Sequence, residues 1–520
     1  MPENPYLVQV HAILPRLLAL YDADPASPTR GMGDRYYWAW KLTDFGNGTF
    51  QGAVHGLSRL LVHDLLPESL SAGSVMNRID EIFEGTDRLR RANGSLEEAF
   101  PYESSFCVTA LVAYDLTTAL HLLDDRLDVA ARSRYREIIR PMIRYLLTAE
   151  ETHGFITNHL ATAAAALTKW SRLEGGEGGA RGRALAARIL EAQSGEGWFP
   201  EYEGADPGYQ SLALYYLADL QACDPCPKLE EALRRAIAFL SHFAHPDGSF
   251  GGLYGSRNTR FFCPSGVEQL AFSDPVAAGL AAFMRESIAA GRTVVLDVLD
   301  APNLVPMFNA YCWAAAILAE REGIAAPQPA LIPAQSGDSW RKEFTEAGLL
   351  VDKGSRHYTI ISWHKGGVCC HWEKGTPPFV DGGVLLRSED GVEYSTQAYR
   401  PENSVEITEG SVIVEAPYSS VSRRRPTPEN FALFRLLNVT IMRFSPVREW
   451  IKRRLVGMLI TGCRTLPGSN CRKIQMGLGL TIEDQIPDAV TGRFERHSPG
   501  GFHAIHMAGQ GYWQRQDDEL

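Results

Sequence analysis

The chain has 520 residues, more than one ordinary core accommodates, so two or three domains are expected. Hydrophobic residues make up 45% and charged residues 22%, which is globular rather than disordered composition. The net charge of -11 excludes a general nucleic-acid binder, which needs a dominant basic face, but leaves open an acidic polysaccharide held in a locally basic cleft.

The N-terminal stretch "MPENPYLVQVHAILPRLLALYDADP" carries no basic region before an apolar run and no small-residue cleavage site. No apolar run approaches the roughly 20 residues of a membrane span. Cytoplasmic residence is therefore the expectation. Helix after helix follows through the first two thirds of the chain, with apolar residues at helical spacing in segments such as "FQGAVHGLSRLLVHDLL", "SFCVTALVAYDLTTALHLL" and "VPMFNAYCWAAAILAERE". Gly, Pro, Asp and Ser punctuate the breaks between them, which points to recurring helical hairpins in a solenoid or a closed toroid.

Within this helical region several segments are polar beyond structural need. "GDRYYWAWKLTDF", residues 33–45, groups aromatics including Trp40 that either stack on sugar rings or fill a core. "FPYESSF" places Tyr102 and Glu103 at a helix entrance, where Glu103 is either a cleft acid or a favourable charge at a helix N-terminus. "TNHLATAAAALTKW", residues 157–170, opens an alanine-rich helix on Asn158 and His159. Thr157 or Asn158 serves there as an N-cap, or the polar pair is aimed into a cleft. In "GEGWFPEYEGADPGYQSLALYYLADL", residues 195–220, Tyr209 follows Pro207 and Gly208 at a helix start, so its phenol can face a cleft. The long loop of residues 247–272 carries Arg257, Asn258, Arg260 and Glu268, and an Arg is the natural bidentate partner of a carboxylate.

At "GIAAPQPALIPAQSGDSW" the composition turns to that of a linker, and the apolar period then changes from helical to alternating. "HYTIISWH", "GGVCCHWE", "SVEITEGSVIVEAPY" and "FALFRLLNVTIMRF" read as strands of an antiparallel β-sandwich of about 180 residues. One helix interrupts it: residues 445–460 are basic on one side and apolar on the other. Its cations are either simply solvated across the sandwich or make a peripheral contact with a membrane or an anionic glycan.

Nine cysteines, an odd and scattered number, suit reduced thiols. Cys223 and Cys226 lack a second CxxC or a nearby His, and Cys369 and Cys370 alternate across a strand. Neither a metal nor a cofactor is expected.

A helical body followed by an antiparallel sandwich, with Asn158-His159 opening one helix and a Gly-rich loop leading to Tyr209 at the start of another, resembles the heparinase II/III and alginate lyase type of polysaccharide lyase. The resemblance implies an α+β multidomain chain: an incomplete (α/α) toroid over residues 1–325, a linker over 326–338 and a sandwich over 339–520. It implies cleavage of an acidic, uronate-containing polysaccharide or oligosaccharide by β-elimination, with Asn158 on the uronate carboxylate and Tyr209 as the catalytic Tyr. A His of the sandwich completes the site, His364 of "HKGG" first and His371 second. The chain departs from the family in carrying "HKGGVCCHW" where a denser His-x-His-x-x-Asp motif is usual.

The chemistry explains these residue types. Removing the C5 proton of a uronate requires a donor that holds the neighbouring carboxylate as charge moves onto it. A base then takes that proton and an acid protonates the departing O4, roles open to both Tyr and His. His159, Arg257, Asn258, Tyr102, Glu103, Trp40 and His371 are the candidate substrate contacts. A uronate C5-epimerase uses the same carboxylate grip, and a toroid glycoside hydrolase would need a pair of acids, for which Glu103, Glu203, Asp206 and Glu268 are available.

Overall fold

The computed structural model describes residues 4–202, 204–324, 327–389, 391–421, 427–456, 464–476, 479–487, 490 and 492–496. Helices α1 (Pro5–Leu18), α2 (Arg35–Trp38), α3 (Val54–Val62), α4 (Ala72–Leu89), α5 (Phe106–Leu122), α6 (Val129–Thr148) and α7 (Thr157–Glu174) come first. Then follow α8 (Gly178–Ala192), α9 (Pro207–Cys223), α10 (Pro227–Leu240), α11 (Pro264–Leu270), α12 (Pro275–Ala289) and α13 (Ala301–Glu320).

Their contacts form two layers. α3, α5, α7, α9, α11 and α13 touch in that order and α13 returns to α3, closing an inner ring. α4, α6, α8, α10, α12 and α1 follow one another outside it. The composition explains the division. α5, α7, α9 and α13 are buried around most of their circumference, whereas α4 and α10 keep one buried face and one charged face. Between α1 and α4 the loop before Gly33 lies against α4, where a Cβ on Gly31 would stand 1.8 Å from the Glu81 carbonyl oxygen; only glycine fits. Because inner and outer helices alternate along the chain, the inner helices run in one sense, and their N-termini gather at one end of the toroid.

The connecting stretch after α13 is clamped. The Ala330 N–H donates to the Pro275 carbonyl, and Ile332 is fully buried. Strands β1 (Trp340–Phe344), β2 (Leu349–Lys353), β3 (His357–Ser362), β4 (Val368–Glu373) and β5 (Phe379–Asp381) then form an antiparallel meander. The second sheet holds β6 (Val384–Arg387), β7 (Glu393–Ser395), β8 (Ser404–Ile407), β9 (Ser411–Val421), β10 (Thr465–Met476), β11 (Leu480–Gln485) and β12 (Arg493–Arg496). Its order is β11-β10-β9-β7-β6-β12, with β8 also paired to β9.

Alternation gives the first sheet two apolar faces. Phe344, Tyr358, Ile360, Cys370 and Trp372 pack on Phe239, Phe243 and Tyr254 of the helical body. Ile361, Trp363 and Cys369 meet Val412, Val414 and Ile474 of the second sheet. Arg472, fully buried, ties the sheets together through Asp381 at 2.7 Å and Asp484 at 2.8 Å.

One expectation is corrected. "FALFRLLNVTIMRF" reads as a strand by composition, but Thr427 caps and Pro428 begins a helix, α14 (Pro428–Val439), followed by α15 (Ser445–Val456). Among the described residues, two helices therefore interrupt the sandwich between β9 and β10. Residues 457–460 of the expected basic helix lie outside the described residues.

Candidate active site

The N-terminal ends of α7 and α9 are joined by a short antiparallel bridge between Ile156 and Glu201, and Thr157 donates its hydroxyl to the Pro200 carbonyl at 2.7 Å. Ile156 is the N-cap of α7, with no side-chain cap, so neither Thr157 nor Asn158 caps this helix. Asn158 instead turns into the interior, where its Nδ2 donates to Glu201 Oε2 at 2.9 Å. The other Glu201 oxygen faces Arg257 Nη1 at 3.4 Å.

Arg257 is held in place by its loop. Asp206 caps α9 through the Tyr209 N–H at 3.1 Å, and its second oxygen accepts the Arg257 N–H at 2.9 Å. A Cβ on Gly255 would meet that oxygen at 2.6 Å, which is why a glycine precedes the Ser256-Arg257 pair. The guanidinium lies 4.4 Å from the ring centre of Tyr202 and 5.1 Å from that of Tyr209. Only 2% of Arg257 is exposed, and its Nε and Nη2 have no partner among the described residues. Two unpartnered N–H groups on one edge of a planar guanidinium have the geometry that takes one oxyanion in bidentate fashion.

The electrostatics follow from burial. Burial pushes the Glu201 carboxyl up to about 7, against the pull of Arg257, His159 and Asn158. Burial likewise raises the Tyr209 phenol, with Arg257 opposing. Beside this group Glu151 accepts from His153 at 2.8 Å and His159 at 2.7 Å. Burial disfavours a charge on His159, but Cys107 and Glu151 outweigh it and hold the imidazole well above its ordinary pKa.

The sandwich reaches the same place. Lys365, just after β3, donates to the Gly255 carbonyl at 3.2 Å and to Asn258 Oδ1, and burial pulls its amine down to about 7. Asn258 takes a left-handed backbone, φ 58°, which Asn tolerates better than most residues. His364 stands 3.3 Å from the Tyr399 hydroxyl, and burial lowers its pKa. The Tyr399 ring packs on Gly204, where a Cβ would meet it at 2.4 Å.

Asn158, His159, Tyr209, Arg257 and Asn258 are thus brought into one cluster, with His364 at its sandwich side. Three candidates stand apart from this cluster. His371 bonds Thr359 at 2.7 Å and lies on the sheet face turned away from the helical body, because its parity in β4 is opposite to that of Cys370 and Trp372. Glu103 is buried and collects the N–H groups of Glu98, Ala99 and Phe100 at 2.9–3.3 Å, so it holds a loop together. Trp40, 65% exposed, makes no described contact with the cluster.

Tyr102 lies on the same loop as Glu103, at the same end of the toroid, with Arg443 of the helical excursion 5.8 Å from its ring centre. The acids considered for hydrolysis are also committed: Asp206 to its cap, and Glu268 to the Tyr6 hydroxyl at 2.6 Å and Arg285 at 3.2 Å. Glu203 lies outside the described residues. Glu201, Glu151, Tyr202 and Lys365 were missed by reading the sequence. Glu201 and Tyr202 sit inside the segment that carries Tyr209, but nothing local separates Glu201 from Glu196, Glu203 and Asp206 in the same run.

No protein-family profile matches the chain, and no curated protein matches it. Among solved structures, the Streptomyces coelicolor A3 chondroitin AC lyase in complex with chondroitin sulphate is 12% identical with a TM-score of 0.47, covering 81% of this chain and 68% of that one. A Paenibacillus xanthan lyase is 12% identical with a TM-score of 0.49 over 81% of this chain, which spans only 46% of that protein's length. Heparinase III is 9% identical with a TM-score of 0.45, covering 88% of this chain and 77% of that one. These neighbours are polysaccharide lyases of the α/α-toroid type, and this chain is similar to them in architecture.

Proposed function

We propose that the protein is a carbon–oxygen lyase that cleaves an acidic, uronate-containing polysaccharide or oligosaccharide by β-elimination. The supporting observation is the unpartnered, buried edge of the Arg257 guanidinium between Tyr202 and Tyr209, with the Asn158 amide across Glu201 from it. Arg257 takes the uronate carboxylate through Nε and Nη2, and Asn158 supplies a further donor as charge moves onto it. Glu201, with a carboxyl near 7, is readily neutral and so does not repel the incoming anion.

His364 is kept uncharged by burial and accepts the C5 proton. The C5–H electrons form the C4–C5 double bond, the C4–O4 bond breaks, and O4 takes the proton of the Tyr209 phenol, which burial keeps protonated. Solvent then resets both groups.

The test is incubation with a panel of uronate-containing glycans, following both the absorbance of unsaturated products and deuterium exchange at C5. New absorbance that disappears in Asn158→Ala and Tyr209→Phe is the expected result. Exchange without absorbance would make the protein an epimerase, and new reducing ends with neither signal would make it a hydrolase.

A further inference from the structure

The helical excursion between β9 and β10 is out of keeping with the rest of the surface. More than half of the large apolar side chains that the described residues leave exposed fall within residues 431–450: Phe431, Leu433, Phe444 and Trp450 are each at least half exposed, and Leu436, Val439, Ile441 and Val447 join them. Among the described residues of α14 only Asn438 is buried. Monomeric proteins rarely leave more than a few hundred Å² of contiguous apolar surface without a partner.

Charge runs against the chain average here as well. Residues 427–456 carry six Arg and Lys against two Glu, in a chain of net charge -11. The excursion is anchored at the toroid end that holds the cluster. Arg435 pairs with Asp44 at 2.8 Å, the Phe434 and Phe100 ring centres are 6.0 Å apart, and Arg443 lies over Tyr102. Tyr36, Trp40 and Leu42, in the same segment as Asp44, are also more than half exposed.

Exposed aromatics and leucines interleaved with Arg select a partner that is apolar and anionic at once. A soluble acidic glycan offers the charge without the apolar depth. A second copy meeting this face across a two-fold axis brings the same surplus of Arg and Lys, six against two Glu, to both sides of the interface. No described helix is long and apolar enough to cross a membrane, so the geometry is that of a helical pair lying in the interface. We propose that the α14–α15 excursion docks the protein on an anionic membrane surface, with Leu433 and Leu436, on the face of α14 opposite Phe434 and Arg435, and Phe444 and Trp450 at the acyl boundary, and Arg443 and Arg454 on lipid phosphates.

Co-sedimentation of the full chain with vesicles tests this without any glycan, so its outcome is independent of the lyase reading. The protein is expected to bind phosphatidylcholine–phosphatidylglycerol vesicles and to bind pure phosphatidylcholine much more weakly. Phe444→Ser with Trp450→Ser lowers partitioning by at least about tenfold. Arg443→Gln with Arg454→Gln lowers it roughly fivefold per charge. Both variants keep the thermal midpoint, because the altered side chains are exposed. Absence of binding to the anionic vesicles, or unchanged binding by both variants, overturns the proposal. Self-association that Phe444→Ser with Trp450→Ser abolishes, in a protein that ignores vesicles, overturns it in favour of an interface between copies.

Discussion

At the scale of the residue, Asn158 is the clearest case of a side chain whose local and long-range readings compete. Its position at the start of α7 fits a cap, yet the bridge to Glu201 satisfies that corner through the backbone and frees the amide for the interior. Arg257→Lys is expected to lower kcat/KM by about 10²–10³-fold, because a point charge cannot reproduce the two-pronged grip, while circular dichroism stays unchanged.

Glu201 makes the pH dependence specific. Its folded pKa, about 7, exceeds its ordinary 4.5, so the folded chain holds the proton more tightly than the unfolded one. Its contribution to stability is full below about 4.5 and is lost as pH rises towards 7. If the proposed lyase activity holds, uronate binding is expected to weaken over the same upper range as the carboxylate appears beside Asn158. In Glu201→Gln the fall in kcat/KM through pH 7 is expected to vanish, which a pH–rate profile reads directly. Lys365 works in the opposite sense: its amine, pulled down to about 7, costs stability below that pH, and the cost fades as pH rises from 7 towards its ordinary 10.5.

At the scale of the element, the segment "GADPGY" builds its own geometry. Asp206 caps α9, Pro207 opens it, and Gly208 lies where a Cβ would meet Thr259 Oγ1 at 2.2 Å. Asp206→Ala removes a cap and three bonds to the Arg257 loop, from the Arg257 and Thr259 N–H groups and the Thr259 hydroxyl, and should cost roughly 1–3 kcal/mol in urea denaturation. Activity should fall with it, because Arg257 loses its backbone anchor. Tyr209→Phe, by contrast, should abolish cleavage with little change in stability.

The sequence made most elements legible, since hairpin punctuation and apolar spacing are local signals. It failed at α14, where Phe, Leu, Val and Ile in one run satisfy both a strand and a helix, and Thr427-Pro428 decided for the helix.

At the scale of the whole molecule, the two parts share one interface. Phe344 of β1 lies 5.0 Å from Phe239 and 5.1 Å from His242 by ring centres, inside the core that joins sandwich and toroid. Phe344→Ala is expected to cost about 3–5 kcal/mol and to split a single calorimetric transition into two, as the sandwich loses its hold on the helical body.

What the amino-acid order determined by itself is the succession of helical hairpins and alternating strands, because periodicity and turn chemistry act over a few residues. It also marked Asn158, Tyr209 and Arg257, which stand out as polar groups at helix starts and in a long loop. Only the tertiary structure decided that Glu201 and Tyr202 join them, and that Lys365 and His364 of the sandwich reach the same end. Those outcomes depend on ring closure and on which face of a sheet meets the helices. Such contacts join residues far apart in the chain, 43 positions between Asn158 and Glu201 and 110 between Lys365 and Gly255, and no local pattern encodes them.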